Sequence, residues 1–281
     1  MTSVRPAAVA GSFYPSAATE LRTVLQDCFE NSSLGPHGAT ERSRSIVAGL
    51  VPHAGAIYSG PCAAHFFTRL EPSLQRIIIL GVNHRSRGHR AALSPWSHWQ
   101  TPLGEITVNQ HLNELIRARA HFVADDANAH AGEHSIEIEL PFLQYSLSQF
   151  EFVPISLSRL SIDECAELGA AIAAACETDN TANRKTVVLA SSDLSHYLSP
   201  KRTEELDRLA LEPILALDPE GLLNVVAEQE ISMCGVIPAA VMLFAVNAMA
   251  ARRTELLQHC HSGDVMPMRK VVGYAAVSIE H

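Results

Sequence analysis

The chain has 281 residues, 47% of them hydrophobic and 18% charged, and a formal net charge of -9. This composition can bury a large core and predicts one globular domain over 1–281, with two lobes as the alternative. Its acidic balance argues against a nucleic-acid partner, because a phosphate backbone is held mainly by clustered Lys and Arg.

In chain order, the segment from Met1 to Pro6 lacks the apolar core of a signal peptide, so a cytoplasmic protein is expected. A first helix is predicted after Ser16, with Leu21, Val24, Leu25 and Phe29 at three-to-four spacing. The polar, Gly- and Pro-containing residues 31–45 read as a flexible loop. Strands and helices then alternate: strand 46–51, helix 61–70, strand 76–81, a loop-rich section with Trp96 and Trp99, and helix 108–120. Helix 133–146 contains Pro141, which predicts a kink or a broken start. Strand 152–157, helix 162–176 and strand 186–190 follow, then helices 203–217, 219–227 and 236–251 and closing strands 256–261 and 271–279. Alternation of this kind predicts an α/β fold with a central, largely parallel or mixed sheet flanked by helices. The longest apolar stretch, 236–251, is interrupted by Pro238 and Asn247 and is too short to span a bilayer, so no membrane partner is expected. Six scattered cysteines without a C-x-x-C pair predict reduced thiols and no disulfide framework.

Three of the predicted strands end within a few residues on a histidine: His53, His84 and His196. Ligands in open α/β sheets sit at the carboxyl ends of strands, and neutral imidazole is the commonest metal ligand. His53, in Pro52-His53-Ala54-Gly55, and His84, in Gly81-Val82-Asn83-His84, therefore form a candidate metal pair. Cys234 precedes Gly235 at a predicted helix start, where backbone N–H groups and the helix dipole are expected to favour the thiolate. Asp193 and His196 are three apart in a Ser-rich loop, where a carboxylate can fix a tautomer. Glu133-His134 is a second acid–histidine pair able to move protons, with Glu133 and Glu137 read as helix-start residues. Arg85, Arg87 and Arg90 form either a solvated loop or a clamp for an anionic substrate beside His84.

The ordered motifs resemble the Memo family, protein B of the AmmeMemoRadiSam system. They are Arg5 to Pro15, Pro52 to Gly60, Gly81-Val82-Asn83-His84, Glu133-His134-Ser135-Ile136-Glu137, Leu140-Pro141-Phe142, Ser191 to His196, and Cys234-Gly235. The resemblance runs nearly end to end and implies a fold similar to class III extradiol dioxygenases, non-heme iron enzymes. It implies His53, His84 and Cys234 as metal ligands and His134 and His196 as acid–base groups, to which the spacing argument adds Asp193 as the catalytic partner of His196. A thiolate in place of a dioxygenase carboxylate makes the ligand set softer, so iron is the first expectation and copper or zinc the alternatives. Tyr14, Tyr58 and Asn83 are expected to line the substrate pocket. Two departures are Ala56, where many relatives carry an aromatic residue, and Arg85, where a histidine or small polar residue is common.

The leading expectation is a metal-dependent, dioxygenase-like redox enzyme acting on a small molecule or a peptide, functionally linked to AMMECR-like and radical SAM proteins. Two rivals use the same cleft: a binding module without turnover, and a zinc-dependent hydrolase acting through bound water.

Overall fold

The computed structural model describes residues 3–37, 41–179 and 185–281. Parts of two sequence expectations, the N-terminal residues 1–2 and residues 38–40 of the predicted loop, lie outside them. The chain opens with a short strand β1 (Val4–Arg5) and helix α1 (Ala18–Gln26), which widens into a π turn over Asp27–Asn31. Then come β2 (Ile46–Val51), α2 (Ala56–Phe67) and β3 (Arg76–Val82). Four short strands fill the loop-rich section: β4 (Ala91–Leu93), β5 (His98–Thr101), β6 (Gly104–Val108) and, after α3 (Gln110–Arg117), β7 (Ala124–Asp125). Beyond them lie α4 (Glu139–Ser146), β8 (Glu151–Leu157), α5 (Ile162–Asp179), β9 (Thr186–Ser191) and β10 (His196–Leu198). The chain closes with α6 (Pro200–Leu215), α7 (Pro219–Glu228), α8 (Val236–Ala248), β11 (Arg253–His261), α9 (Ser262–Val265) and β12 (Val271–Glu280).

These strands form one mixed sheet of 12 strands with the order β1-β5-β6-β8-β3-β9-β2-β12-β10, while β11 pairs with β12 and β4 with β8 and β7. The four central strands β8, β3, β9 and β2 are mutually parallel, and β12 closes antiparallel on β2. Their residues are apolar on both faces because both faces are covered. In β3 and β9, Ile78, Leu80, Val188 and Ala190 pack with α5 and α8, whereas Ile77, Ile79, Val187 and Leu189 pack with α1, α2 and α4. Each such side chain removed from water contributes about 1.5–3 kcal/mol, which holds the strand ends rigid.

Several helix boundaries differ from the sequence expectation, and for three of them the cause is local. Helix α2 begins at Ala56, not near residue 61, because the Ala56 N–H donates to the Phe13 carbonyl at 2.8 Å, and Pro61 is accommodated inside the helix. Helix α3 is shorter than 108–120, since the Asn109 side chain caps it by accepting from the Leu112 N–H at 2.9 Å. Helix α4 starts at Glu139, with Pro141 in its first turn and residues 135–138 in turns, which is the broken start that Pro141 predicts.

Candidate metal centre

Strand β9 lies between β3 and β2, with Leu80 opposite Ala190 and Val51 opposite Ser191. The loops after these three neighbouring strands carry His84, Ser192 and Asp193, and His53, so the sheet order itself gathers them. His134 arrives from the segment preceding α4. One ring nitrogen each of His53, His84 and His134 lies within 4.8 Å of the other two, a group that could hold a metal ion. The rings of His84 and His134 stack at 4.5 Å between centroids, and His53 meets them edge-on at 5.1 and 5.3 Å.

Glu133 organises two of the three rings. Its carboxylate, 2% exposed, accepts the Nδ1 of His84 at 2.8 Å and approaches that of His134 at 3.1 Å. It also accepts the backbone N–H groups of His84, His134 and Ser135 at 2.9, 2.9 and 3.1 Å. Burial works to raise its pKa, but the hydrogen bonds from His134 and His84, with the charges of those rings, win and hold it well below the usual carboxylate range. With Nδ1 committed to Glu133, Nε2 is the nitrogen left to a ligand, as in carboxylate–histidine–metal arrangements.

His53 is 1% exposed, and burial, then its neighbours His134 and His84, push its pKa well below the ordinary histidine range. It is a neutral imidazole, the form that binds metal. Its Nδ1 meets Ser191 Oγ at 2.8 Å, and its Nε2 lies 3.1 Å from Cys234 Sγ. Cys234 is therefore at the site through His53. The expected thiolate is not what the protein alone provides: burial, reinforced by Asp193, drives the Cys234 pKa up, so the group is a thiol until a cation displaces its proton.

The mutual orientation expected of Asp193 and His196 is replaced by other bonds. Asp193 Oδ1 accepts the backbone N–H groups of His53 and Ala54 at 2.8 and 3.2 Å, so it shapes the turn that delivers His53. Its own pKa is raised by burial, against the opposing influence of His196 and these amides. His196 instead places Nδ1 on the Ser232 carbonyl and its N–H on Ser232 Oγ, both at 2.8 Å. It remains half-buried at the margin, close enough to act electrostatically on His53 and Asp193.

The three residues expected to line a pocket have separate surroundings. Tyr14 is buried and donates its hydroxyl to Glu137 at 2.6 Å. Tyr58 sits half-buried in the first turn of α2. Asn83 closes the loop after β3, its side chain donating to the Arg87 carbonyl at 2.7 Å and accepting the Arg87 N–H at 3.2 Å. Of the three arginines beside His84, Arg90 pairs with Glu164, and Arg85 Nε donates to the Gly132 carbonyl at 2.8 Å, bracing the loops of His84 and His134.

Sequence reasoning missed the ring of Phe13, which packs 4.4 Å from that of His134. It also missed the fate of Glu133, Glu137 and Glu139, read partly as solvated helix-start residues and in fact 2%, 0% and 1% exposed. A carboxyl this deep must be paired or neutral. Glu133 serves the histidines; Glu137 takes Arg5 at 2.5 Å, Tyr14 and the N–H groups of Ala8 and Val9; Glu139 meets Ser191 at 2.8 Å. The alternation of Glu137 and Glu139 with Ile136, Ile138 and Leu140 was the available signal for those two, since a solvated helix start would not place them so regularly among core residues.

Fold and site together define an α/β protein with a histidine-lined candidate metal cleft at the carboxyl edge of its parallel strands. A family profile described as Memo-like protein matches residues 5–278. A MEMO1 family protein of Methanopyrus kandleri is 40% identical over 280 residues, covering 97% of this chain and 98% of the relative. One from Ignicoccus hospitalis is 42% identical with 98% of both chains covered, and one from Methanocaldococcus jannaschii is 34% identical over the full length of both. The chain belongs to the Memo family, and its α/β architecture is the one that the motifs in its sequence imply.

Proposed function

We propose that this Memo-family protein is a mononuclear metal-dependent redox enzyme, with one divalent ion, iron first and copper or zinc as alternatives, held by His53, His84 and Cys234. The observation that carries the reading is the fixing of all three imidazoles through Nδ1, by Glu133 and by Ser191, so that their Nε2 atoms remain for a ligand. The donor set fits the group: two buried or half-buried imidazoles and a thiol suit a borderline or soft divalent cation better than magnesium or calcium. When bound, such an ion supplies Lewis acidity and, for iron or copper, one-electron chemistry.

The remaining work belongs to the side chains. His134, with Nδ1 tied to Glu133, keeps Nε2 free to take up and return a proton, and Phe13 covers one face of its ring. His196, at the margin, would meet a substrate group as it enters. A small molecule or a peptide is the substrate we propose. A cytoplasmic setting agrees with six free cysteines, and no helix among the described residues is long and apolar enough to cross a membrane.

The test is metal analysis of anaerobically purified protein and of His53→Ala, His84→Ala and Cys234→Ser. About one metal per chain is expected in the parent and a large loss in each variant; equal contents in all four would overturn the site. Cobalt(II) substitution adds a decision on the third ligand. A sulfur-to-cobalt charge-transfer band, absent in Cys234→Ser, is expected; a parent spectrum without it would assign that position to His134. Oxygen uptake abolished in His134→Ala, with metal retained, supports turnover, whereas ligand binding without uptake in the parent supports a binding module.

A further inference from the structure

Ser191 is the last residue of β9, and its hydroxyl meets three partners while wholly buried. The Ser135 carbonyl is 2.6 Å away, Glu139 Oε1 2.8 Å and His53 Nδ1 2.8 Å. A hydroxyl has one proton and two lone pairs. The carbonyl can only accept, so at 2.6 Å the Ser191 proton must lie between the two oxygens; without it, two acceptors would face each other inside the contact distance. Both lone pairs of Ser191 are then turned to His53 and Glu139, and each of these must bring a proton of its own.

For His53 this assigns hydrogen to Nδ1 and a lone pair to Nε2, the nitrogen beside Cys234. For Glu139 it requires the carboxylic acid. We infer that Glu139 is a positioning residue held in its neutral acid form, which through Ser191 sets the tautomer and the aim of His53. The inference that this affects metal binding rests on the function proposed above; the protonation pattern itself does not.

The surroundings agree. Glu139 is 1% exposed, and its pKa is raised far above the usual carboxylate range by burial, with the neighbouring Asp193 adding to the effect. It sits in the first turn of α4, where the helix dipole favours an ionised carboxylate. For a carboxyl this deeply buried the lost hydration of an ion outweighs that preference. The arrangement is thus the reverse of Glu133, whose many N–H donors keep it ionised. Two histidines of the cleft are oriented by an anion, and the third by a neutral acid acting through a hydroxyl.

The experiment compares full-length parent, Glu139→Gln, Glu139→Ala and Ser191→Ala. The infrared spectrum of the parent at neutral pH is expected to contain a carboxylic-acid C=O band that shifts in D2O and is missing from Glu139→Gln. Long-range proton–nitrogen NMR is expected to show His53 protonated at Nδ1 in the parent and in Glu139→Gln, whose amide N–H₂ donates to Ser191 as the acid does. Cobalt(II) affinity should stay within about threefold in Glu139→Gln and fall about tenfold or more in Glu139→Ala and Ser191→Ala. No band lost in Glu139→Gln, a His53 proton on Nε2, or an affinity loss in Glu139→Gln equal to that in Glu139→Ala would overturn the inference. If the alanine variants do not fold, the glutamine variant decides alone. If His53→Ala binds cobalt as tightly as the parent, the metal reading fails while the infrared and NMR results still decide the protonation pattern.

Discussion

A carboxylate surrounded by five N–H groups behaves differently from the helix cap that Glu133 resembles in sequence. Each oxygen of Glu133 accepts at least one backbone N–H, and Oε1 also faces both imidazole Nδ1 atoms. Glutamine keeps the shape but turns one acceptor into a donor, which must then face an N–H. Glu133→Gln is therefore expected to weaken cobalt(II) binding about 10–100-fold, the usual effect of losing a partner that orients a ligand, with far-UV circular dichroism unchanged. Calorimetric titration checks it, and a parental affinity would show that the two rings orient themselves. At this scale His53 and His84 were legible in the sequence because strand ends announce themselves by an apolar run followed by small residues. The relation of Asp193 to His196 was not, since spacing alone cannot show that the amides of His53 and Ala54, in the turn after a different strand, reach the carboxylate first.

Strand ends position the cleft only if the segment from Glu133 to Ile138 is pressed against them, and a glycine allows that approach. Ser135 Oγ accepts the Val82 N–H at 2.9 Å and donates to the Val82 carbonyl at 3.0 Å, stitching the segment to the end of β3. A Cβ at Gly81 would stand 2.3 Å from Ile136 Cγ1 and 2.7 Å from Ser135 Oγ, well inside contact. Gly81→Ala must push the segment away. The expected result is a destabilisation of about 1–3 kcal/mol, as for overpacked cores, together with weakened cobalt(II) binding, because Glu133 and His134 move with it. Thermal unfolding and titration measure the two effects; a variant with parental affinity would show that the cleft tolerates a displaced segment. Elements of this size divide by length in what their sequence discloses. The apolar runs of β2, β3, β8 and β9 and the long helices α5 and α8 follow from composition and period. Strands β1, β4, β5, β6, β7 and β10 are two to five residues long, and their pairing depends on partners far along the chain, so no local pattern specifies them.

On the scale of the whole molecule, the N-terminal strand is joined to the back of the cleft by one buried cation. Arg5, at 0% exposure, donates to Glu137, to the Glu133 carbonyl at 2.9 Å and to the His130 carbonyl at 2.8 Å, and its guanidinium lies 3.9 Å from the centre of the Trp99 ring. His130, on the same loop, is fully buried with Nε2 on the Ala92 carbonyl at 3.0 Å. Burial first, and the charge of Arg5 second, lower its pKa from 6.5 to about 4. The unfolded chain therefore binds a proton at His130 between these values and the folded chain does not, so the stabilising effect is complete above 6.5 and declines as pH falls toward about 4. At about 1.4 kcal/mol per pH unit the loss amounts to about 3 kcal/mol. His53, whose pKa is also lowered by burial, adds a slope of the same sign, so the His130 share must be isolated by difference. His130→Gln retains an N–H for the Ala92 carbonyl and removes the titration; its urea-unfolding free energy is expected to fall less steeply than that of the parent between about pH 6.5 and 4. Parallel curves for the two proteins would mean that acid weakens this fold elsewhere, at the cleft histidines or their carboxylates, and not at the loop that Arg5 ties to the N-terminus.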